Sequence, residues 1–169
     1  TGDSDVLRQA NPGEPSLDAS GCVVMPGFVD PHTHVIWGGD RAAEFEMRLE
    51  GKHYLDILAA GGGIISTVHA TRSASIEALM SQTRARLLRM FATGTTTAEA
   101  KSGYGLELEA ELKLLEVLLS LDETGPLSIV PTFLAAHAIP AEFAGNADGY
   151  TRTVVEDMLP ALRAWWQAH

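Results

Sequence analysis

The chain has 169 residues, of which 46% are hydrophobic and 20% are charged, and its formal net charge is −10 at pH 7. This composition is typical of a globular protein with a hydrophobic core, and it excludes collagen-like and disordered chains. Proteins that bind nucleic acids or anionic membranes present a basic surface, so the acidic charge argues against both partners and favours a small molecule.

Cysteine usage and hydropathy indicate the compartment. Cys22 is the only cysteine, so no disulfide can form within the chain. No apolar run approaches the ~20 residues of a membrane span, and the polar residues 1–5 do not resemble a signal peptide. We therefore expect a cytoplasmic protein. Because the chain begins without Met, we also expect it to be a piece of a longer polypeptide.

Predicted strands and helices alternate along the chain. Residues 1–18 are rich in Gly, Pro, Ser, Asp and Asn and are predicted to form a loop. The hydrophobic pattern then predicts strands at 28–34, 95–101 and 128–136, and helices at 42–49, 54–60, 73–91, 108–124 and 151–167. The last helix is expected to be interrupted near Pro160. Such alternation predicts βαβ units and a parallel sheet.

Two histidines lie two positions apart in PGFVDPHTH, residues 26–34. In an extended segment, residues i and i+2 point to one side, so the imidazoles of His32 and His34 face the same way. Neutral imidazole is the commonest protein ligand for zinc and suits iron as well. We interpret the pair as metal ligands at the end of a buried strand. Two histidines that lie at the surface by chance would produce the same sequence motif.

The other predicted strands also lead into polar side chains. Residues 101–104 follow the second strand, and His137 follows the third. Right-handed crossovers place the carboxyl ends of parallel strands at one edge of a sheet. We therefore expect His32, His34, Tyr104 and His137 to lie close together there.

Longer blocks of the sequence resemble a known family. PGFVDPHTH with GGDR at 38–41 is similar to the metal-dependent amidohydrolase superfamily. The runs at 44–72, 94–115 and 131–140 are similar to the imidazolonepropionase family within it. The resemblance implies an enzyme with one zinc or iron ion per active site. It would hydrolyse the cyclic amide 4-imidazolone-5-propanoate to N-formimidoyl-L-glutamate in histidine degradation, by metal-activated water.

The same resemblance implies roles for five residues. His32 and His34 would be metal ligands, and Arg41, Tyr104 and His137 would contact the substrate, with His137 also catalytic. The planar fork of Arg41 suits a carboxylate, and Tyr104 lies between two glycines that let the backbone approach a ligand. His137 could polarise the ring carbonyl or donate a proton.

Alternatives remain open for several of these side chains. Arg41 could instead form an ion pair with Glu44 or Glu46, and Tyr104 and His137 could be structural. Tyr54 is a further candidate for the site. Lys101 is interpreted as an ion-pair partner of Glu99 or a support at the end of the sheet.

The resemblance also implies the fold. We expect an α/β chain that forms part of a (β/α)₈ TIM-type barrel, with only the first few parallel strands and helices. Residues 21–169 would be the amino-terminal part of the barrel, and 1–20 a loop or the remnant of a preceding small β domain. A complete barrel takes about 250 residues, so the family's other metal ligands, a His and an Asp, would lie on later strands. An open sheet edge predicts self-association.

Two other functions remain open at this point. One is a different ring-opening amidohydrolase of the hydantoinase or dihydroorotase type, in which a carbamylated lysine bridges two metals. Lys101 is the one candidate for that lysine, and its position beside Glu99 fits the role poorly. The other is a truncated chain without catalytic activity.

Overall fold

A three-stranded parallel sheet forms the centre of the fold. The computed structural model describes residues 2–59 and 61–169. The strands run in the order β1 (Phe28–Thr33), β2 (Thr95–Lys101) and β3 (Ser128–Thr132). The helices are α1 (Ser4–Ala10), α2 (Ala42–Leu49), α3 (Tyr54–Ala59), α4 (Ile64–Ser73), α5 (Ile76–Ala92), α6 (Leu108–Thr124), α7 (Ala147–Arg152) and α8 (Leu159–Ala168). Among these described helices, none is long and apolar enough to cross a membrane.

The sheet confirms the predicted fold class, an α/β arrangement with an unclosed part of a barrel. β2 pairs in parallel with both neighbours. The register of β1 on β2 shifts between Asp30 and Thr33, where Pro31 has no N–H to donate to the ladder. The small side chains of Ala98 and Ala100 are fully buried, which lets helices pack closely on that face of the sheet.

Helices α5 and α6 cover this face. Leu79 and Leu87 of α5 and Leu118 of α6 belong to the same buried cluster as Ala98 and Ala100. Because successive strand residues point to opposite faces, Thr97, Glu99 and Lys101 lie on the other face, which a closed barrel would enclose.

The third strand is shorter than predicted. It ends at Thr132, and residues Ala135–His137 form a 3₁₀ turn rather than the end of the strand. The N–H of Leu134 donates to the hydroxyl oxygen of Ser102 at 2.9 Å, so it no longer follows a strand ladder. His137 is therefore carried by a turn five residues beyond β3.

Several helices differ from their predicted bounds. Helix α1 lies inside the predicted loop, and the carboxylate of Asp3 caps it by accepting from the N–H groups of Asp5 and Val6. Helix α4 was not predicted, because the glycines at 61–63 indicate a stop, yet the helix begins at Ile64, directly after Gly63, whose φ is 81°. The end of the predicted helix at 54–60, Ala60, lies outside the described residues. The domain boundary at residue 20 stays a prediction.

The last helix contains the predicted interruption. A π-helical segment, Thr153–Met158, joins α7 to α8, and Pro160 lies in the first turn of α8. The proline has no N–H for an intrahelical bond, and its ring would clash with the carbonyl four residues earlier. The wider π turn accommodates both constraints.

Leu118→Ala tests the packing of α6 on the sheet. Loss of this fully buried side chain should lower the free energy of unfolding by about 2–5 kcal/mol, because a cavity remains. Leu88→Ala on α5 removes a side chain that is 48% exposed and should cost less than about 1 kcal/mol. Urea unfolding measures both, and equal losses would contradict this packing.

Candidate active site

Four aromatic side chains converge at the carboxyl edge of the sheet. The ring centroid of His34 lies 5.5 Å from His32, 5.8 Å from Tyr104 and 4.5 Å from His137. Tyr104 and His137 lie 5.3 Å apart. The predicted convergence of these side chains is confirmed, and their chemical roles stay predictions.

The central ring, His34, is suited to binding a metal. Its buried Nδ1 has no hydrogen-bond partner among the described residues. Burial lowers the pKa of His34, and positive charge on His137 and His32 would lower it further. The imidazole is therefore held in its neutral form, which is the form that binds metal ions.

His32 and His34 fit only part of a metal site. A catalytic zinc ion has three protein ligands and one open position. Within residues 2–59 and 61–169, no group of three or more His, Cys, Asp or Glu side chains is arranged to hold a metal ion. His137 stacks on His34 with an interplanar angle of 16°, so it lies against the ring face of His34. The pair therefore needs further ligands to complete such a site.

The turn after β2 holds Tyr104 and contacts His137. Gly103 has a φ of 101°, a conformation that favours glycine. Its carbonyl oxygen lies 3.0 Å from Nδ1 of His137. A carbonyl can only accept, so Nδ1 carries the proton and a neutral His137 keeps a lone pair on Nε2. Burial raises the pKa of Tyr104, although nearby Arg41 opposes this.

A buried carboxylate beneath this turn was missed by the sequence analysis. Glu111 is fully buried in the first turn of α6. Its Oε1 accepts from the N–H groups of Gly105 at 2.8 Å and Leu106 at 2.7 Å, and its Oε2 accepts from Gly103 N–H at 2.9 Å. The position of Glu111 three residues before the buried Leu114 was the signal that could have found it.

Two further groups hold the far end of the turn. Nε of Arg72, on α4, donates to the carbonyl of Gly105 at 2.6 Å. The single O–H of Tyr150 is shared between two carbonyls, that of Ala135 at 2.7 Å and that of Leu106 at 3.2 Å. Burial raises the pKa of Tyr150 to about 12, so the hydroxyl keeps its proton. The turn is thus fixed at both ends.

Arg41 is bound by a carboxylate and also lines the site. Nε and Nη2 both donate to Oε2 of Glu44, at 2.9 and 2.5 Å, so the Glu44 ion pair considered from the sequence is present. This bond lowers the pKa of Glu44, whose Oε1 accepts from Gly63 N–H and Ser66 Oγ. Arg41 also lines a cavity of about 230 Å³ with Tyr104.

The segment between β1 and Arg41 is fixed by Arg86. Its guanidinium carbon lies 3.4 Å from the ring centroid of Trp37, another residue that lines the cavity. Nη1 of Arg86 donates to the carbonyls of Val35 and Trp37 at 3.1 and 2.9 Å. Burial lowers the pKa of Arg86. Arg86 was missed because the sequence places it 45 residues from Arg41.

Lys101 has the structural role expected for it. Its Nζ forms an ion pair with Oε2 of Glu99, and Oε1 of Glu99 accepts from the hydroxyl of Thr132 at 2.7 Å. This pairing disfavours Lys101 as a bridging lysine between two metals. Tyr54, on α3, is 55% exposed, and its place in the site stays a prediction.

Comparison with known proteins identifies sequences that are similar to this chain. A family model described as "Amidohydrolase family" matches residues 16–60. The imidazolonepropionase of Herpetosiphon aurantiacus is 56% identical over 152 residues, which cover 90% of this chain and 36% of that protein. The imidazolonepropionase of Chloroflexus aggregans is 52% identical over 163 residues, covering 96% of this chain and 38% of that protein.

The chain is similar over most of its length to imidazolonepropionases. The resemblance noted in the sequence is therefore confirmed. A third imidazolonepropionase, from Hahella chejuensis, is 54% identical over 143 residues, or 85% of this chain and 36% of its own length. The chain spans somewhat more than a third of the length of the curated relatives that it matches.

Gly103→Ala tests how tightly the turn contacts His137. A Cβ at this position would lie 2.8 Å from Cβ of His137, so we expect altered ring resonances of His137. Gly145→Ala is the matched control, since Gly145 also has positive φ but open space around it. Both variants should lose about 1–2 kcal/mol from backbone strain. Unchanged His137 signals in Gly103→Ala by NMR would contradict the close contact.

Proposed function

We propose that this chain forms part of an imidazolonepropionase. The enzyme hydrolyses the cyclic amide C–N bond of 4-imidazolone-5-propanoate to give N-formimidoyl-L-glutamate, a step of histidine degradation. Sequence identity of 56% over 90% of the chain supports this proposal. The observation that carries it is the convergence of His32, His34, Tyr104 and His137 at one edge of a parallel sheet.

His32 and His34 are proposed as two ligands of a single zinc or iron ion. The neutral state and unpaired Nδ1 of His34 support this role. The ion would supply Lewis-acid activation of water at neutral pH. The ion pair of Lys101 with Glu99 supports a site that does not depend on a bridging lysine.

Arg41 and Tyr104 are proposed to bind the substrate. The guanidinium uses Nε and Nη2 for Glu44, which leaves Nη1 for the propanoate carboxylate. Tyr104 lines the same cavity as Arg41, so one substrate can reach both. The phenol can stack on the planar ring or form a hydrogen bond with it.

His137 is proposed as a catalytic residue. Its proton on Nδ1 is bound to the carbonyl of Gly103, so Nε2 is the atom left for chemistry. A neutral ring accepts a proton at Nε2, and a protonated ring donates it to the ring carbonyl or the leaving nitrogen. The contact with Gly103 fixes the tautomer for both steps.

The compartment and partners are proposals as well. We propose a cytoplasmic enzyme that acts on a small molecule, a location that the exposed thiol of Cys22 supports. The chain exposes Val29 on β1, an edge strand of the sheet, and Val23 and Val24 in the segment just before it. We propose that it self-associates through this edge.

Arg41→Lys in the complete gene product tests substrate binding. Loss of a charged, forked contact costs roughly 1.5–3 kcal/mol, or about ten- to a hundredfold in KM. Bound metal should not change. Arg48→Lys makes the same exchange on α2 and should leave KM within about twofold. Steady-state kinetics and metal analysis measure these effects, and an unchanged KM in Arg41→Lys would remove it from the substrate site.

The 169-residue chain by itself should bind zinc weakly and have no measurable hydrolase activity. Two imidazoles fall short of the three-ligand set of catalytic zinc. Calorimetric zinc titration and the loss of imidazolone absorbance test this expectation. Tight stoichiometric zinc with metal-dependent turnover would show that the missing ligands come from within the chain or from a second copy.

A further inference from the structure

We propose that Glu111 is a positioning residue, which holds the backbone of Gly103 and thereby orients His137 and Tyr104. The catalytic part of this inference rests on the proposed function, while the structural part stands on contacts within the turn. Glu111 belongs to α6 and reaches the site only through the backbone of residues 103–106.

The buried carboxylate of Glu111 is balanced by the turn above it. Across residues 2–59 and 61–169, no Lys, Arg or His side chain forms an ion pair with it. Instead it accepts from the N–H groups of Gly103, Gly105 and Leu106. Its place in the first turn of α6 adds the positive end of the helix dipole. Those donors offset the cost of burying the charge.

The backbone conformation of residues 103–106 also depends on this carboxylate. Gly103 and Leu106 have positive φ values of 101° and 55°, so the N–H groups of the turn converge on one point. An apolar side chain at position 111 would leave three buried donors unsatisfied. The conformation of the turn is therefore specified by Glu111 and not by packing alone.

Gly103 transmits this constraint to the candidate active site. Its N–H is held by Glu111, and its carbonyl accepts from Nδ1 of His137. A Cβ on Gly103 would meet both Cβ of His137 and the carbonyl of Leu134 at 2.8 Å, so there is no free space between the turn and His137. A shift of Gly103 must therefore move His137. It must also move Tyr104, because Tyr104 is the next residue in the chain.

Other supports of the turn act elsewhere. Arg72 binds the carbonyl of Gly105 and Tyr150 binds that of Leu106. Neither reaches Gly103. At the end of the turn nearest His137, Ser102 and His137 make their own contacts, and Glu111 is the side chain that accepts from the N–H of Gly103.

Glu111→Gln is the variant that tests this role. A glutamine oxygen can keep the bonds to Gly105 and Leu106, which share Oε1. Its NH₂ group then replaces Oε2, the nearer acceptor of the Gly103 N–H, and leaves that N–H only the longer 3.2 Å contact to the retained oxygen. Glu111→Asp is the second variant, since it keeps the carboxylate but shortens its reach. Leu118→Ala, on the same helix and away from the turn, is the control for lost stability.

The experiment uses the complete gene product with bound metal. In Glu111→Gln we expect kcat to fall about ten- to a hundredfold, because His137 is misplaced, and KM to rise by a smaller factor, because Tyr104 shifts with Gly103. The ¹⁵N shifts of the His137 ring should change, and the amide of Gly103 should exchange faster with solvent. Leu118→Ala should lower Tm by as much as Glu111→Gln or more. Its kcat, KM and His137 ring shifts should nevertheless stay close to those of the parent.

The possible results separate this inference from the proposed function. Parent protein that does not hydrolyse the imidazolone overturns the proposed function, and the ring shifts and amide exchange then decide the positioning role. An active parent with unchanged kcat and unchanged His137 shifts in Glu111→Gln overturns the positioning role. If that variant does not fold, Glu111→Asp decides by the same two measurements.

Discussion

The turn between β2 and α6 has to satisfy backbone polar groups that are buried away from water, and the way it does so determines the site. Its N–H groups converge on the carboxylate of Glu111, and its carbonyls accept from His137, Arg72 and Tyr150. These partners come from four different segments of the chain. Because unsatisfied buried groups are costly, the segments are held together by the turn as well as by hydrophobic packing.

The sheet supplies the other half of the arrangement. Parallel pairing brings the ends of β1, β2 and β3 to one edge, which places His32 and His34 beside the turn that carries Tyr104. Ala98 and Ala100 admit α5 and α6 on one face, while the opposite face carries the Glu99 and Lys101 pair. The sheet face that a closed barrel would enclose is therefore polar at its carboxyl end, beside the residues proposed to bind the metal ion and the substrate.

Local patterns predicted the parts of this site that depend on local sequence. Strand alternation located the three strands, and the spacing of His32 and His34 placed both rings at one edge. Arg86 was missed because its partners Val35 and Trp37 lie about 50 residues away in the sequence. Glu111 was missed although its partners lie five to eight residues away, because only the fold shows that its carboxylate is buried under the turn. The end of β3 was placed too late, since only the bond from Leu134 N–H to Ser102 shows where the ladder stops.

Arg41 shows why an ion pair and a ligand contact need not exclude each other. Glu44 engages Nε and Nη2 of the guanidinium through one carboxylate oxygen, and its other oxygen is bound to Gly63 and Ser66 at the start of α4. The pair therefore anchors the arginine to a second helix while Nη1 stays available. A lysine has a single ammonium group and a flexible stem, so it could not be held by Glu44 and also present a fixed donor to the cavity. The five donors of arginine let one side chain be anchored by Glu44 and still offer Nη1 to the cavity, as the proposed contact with the substrate requires.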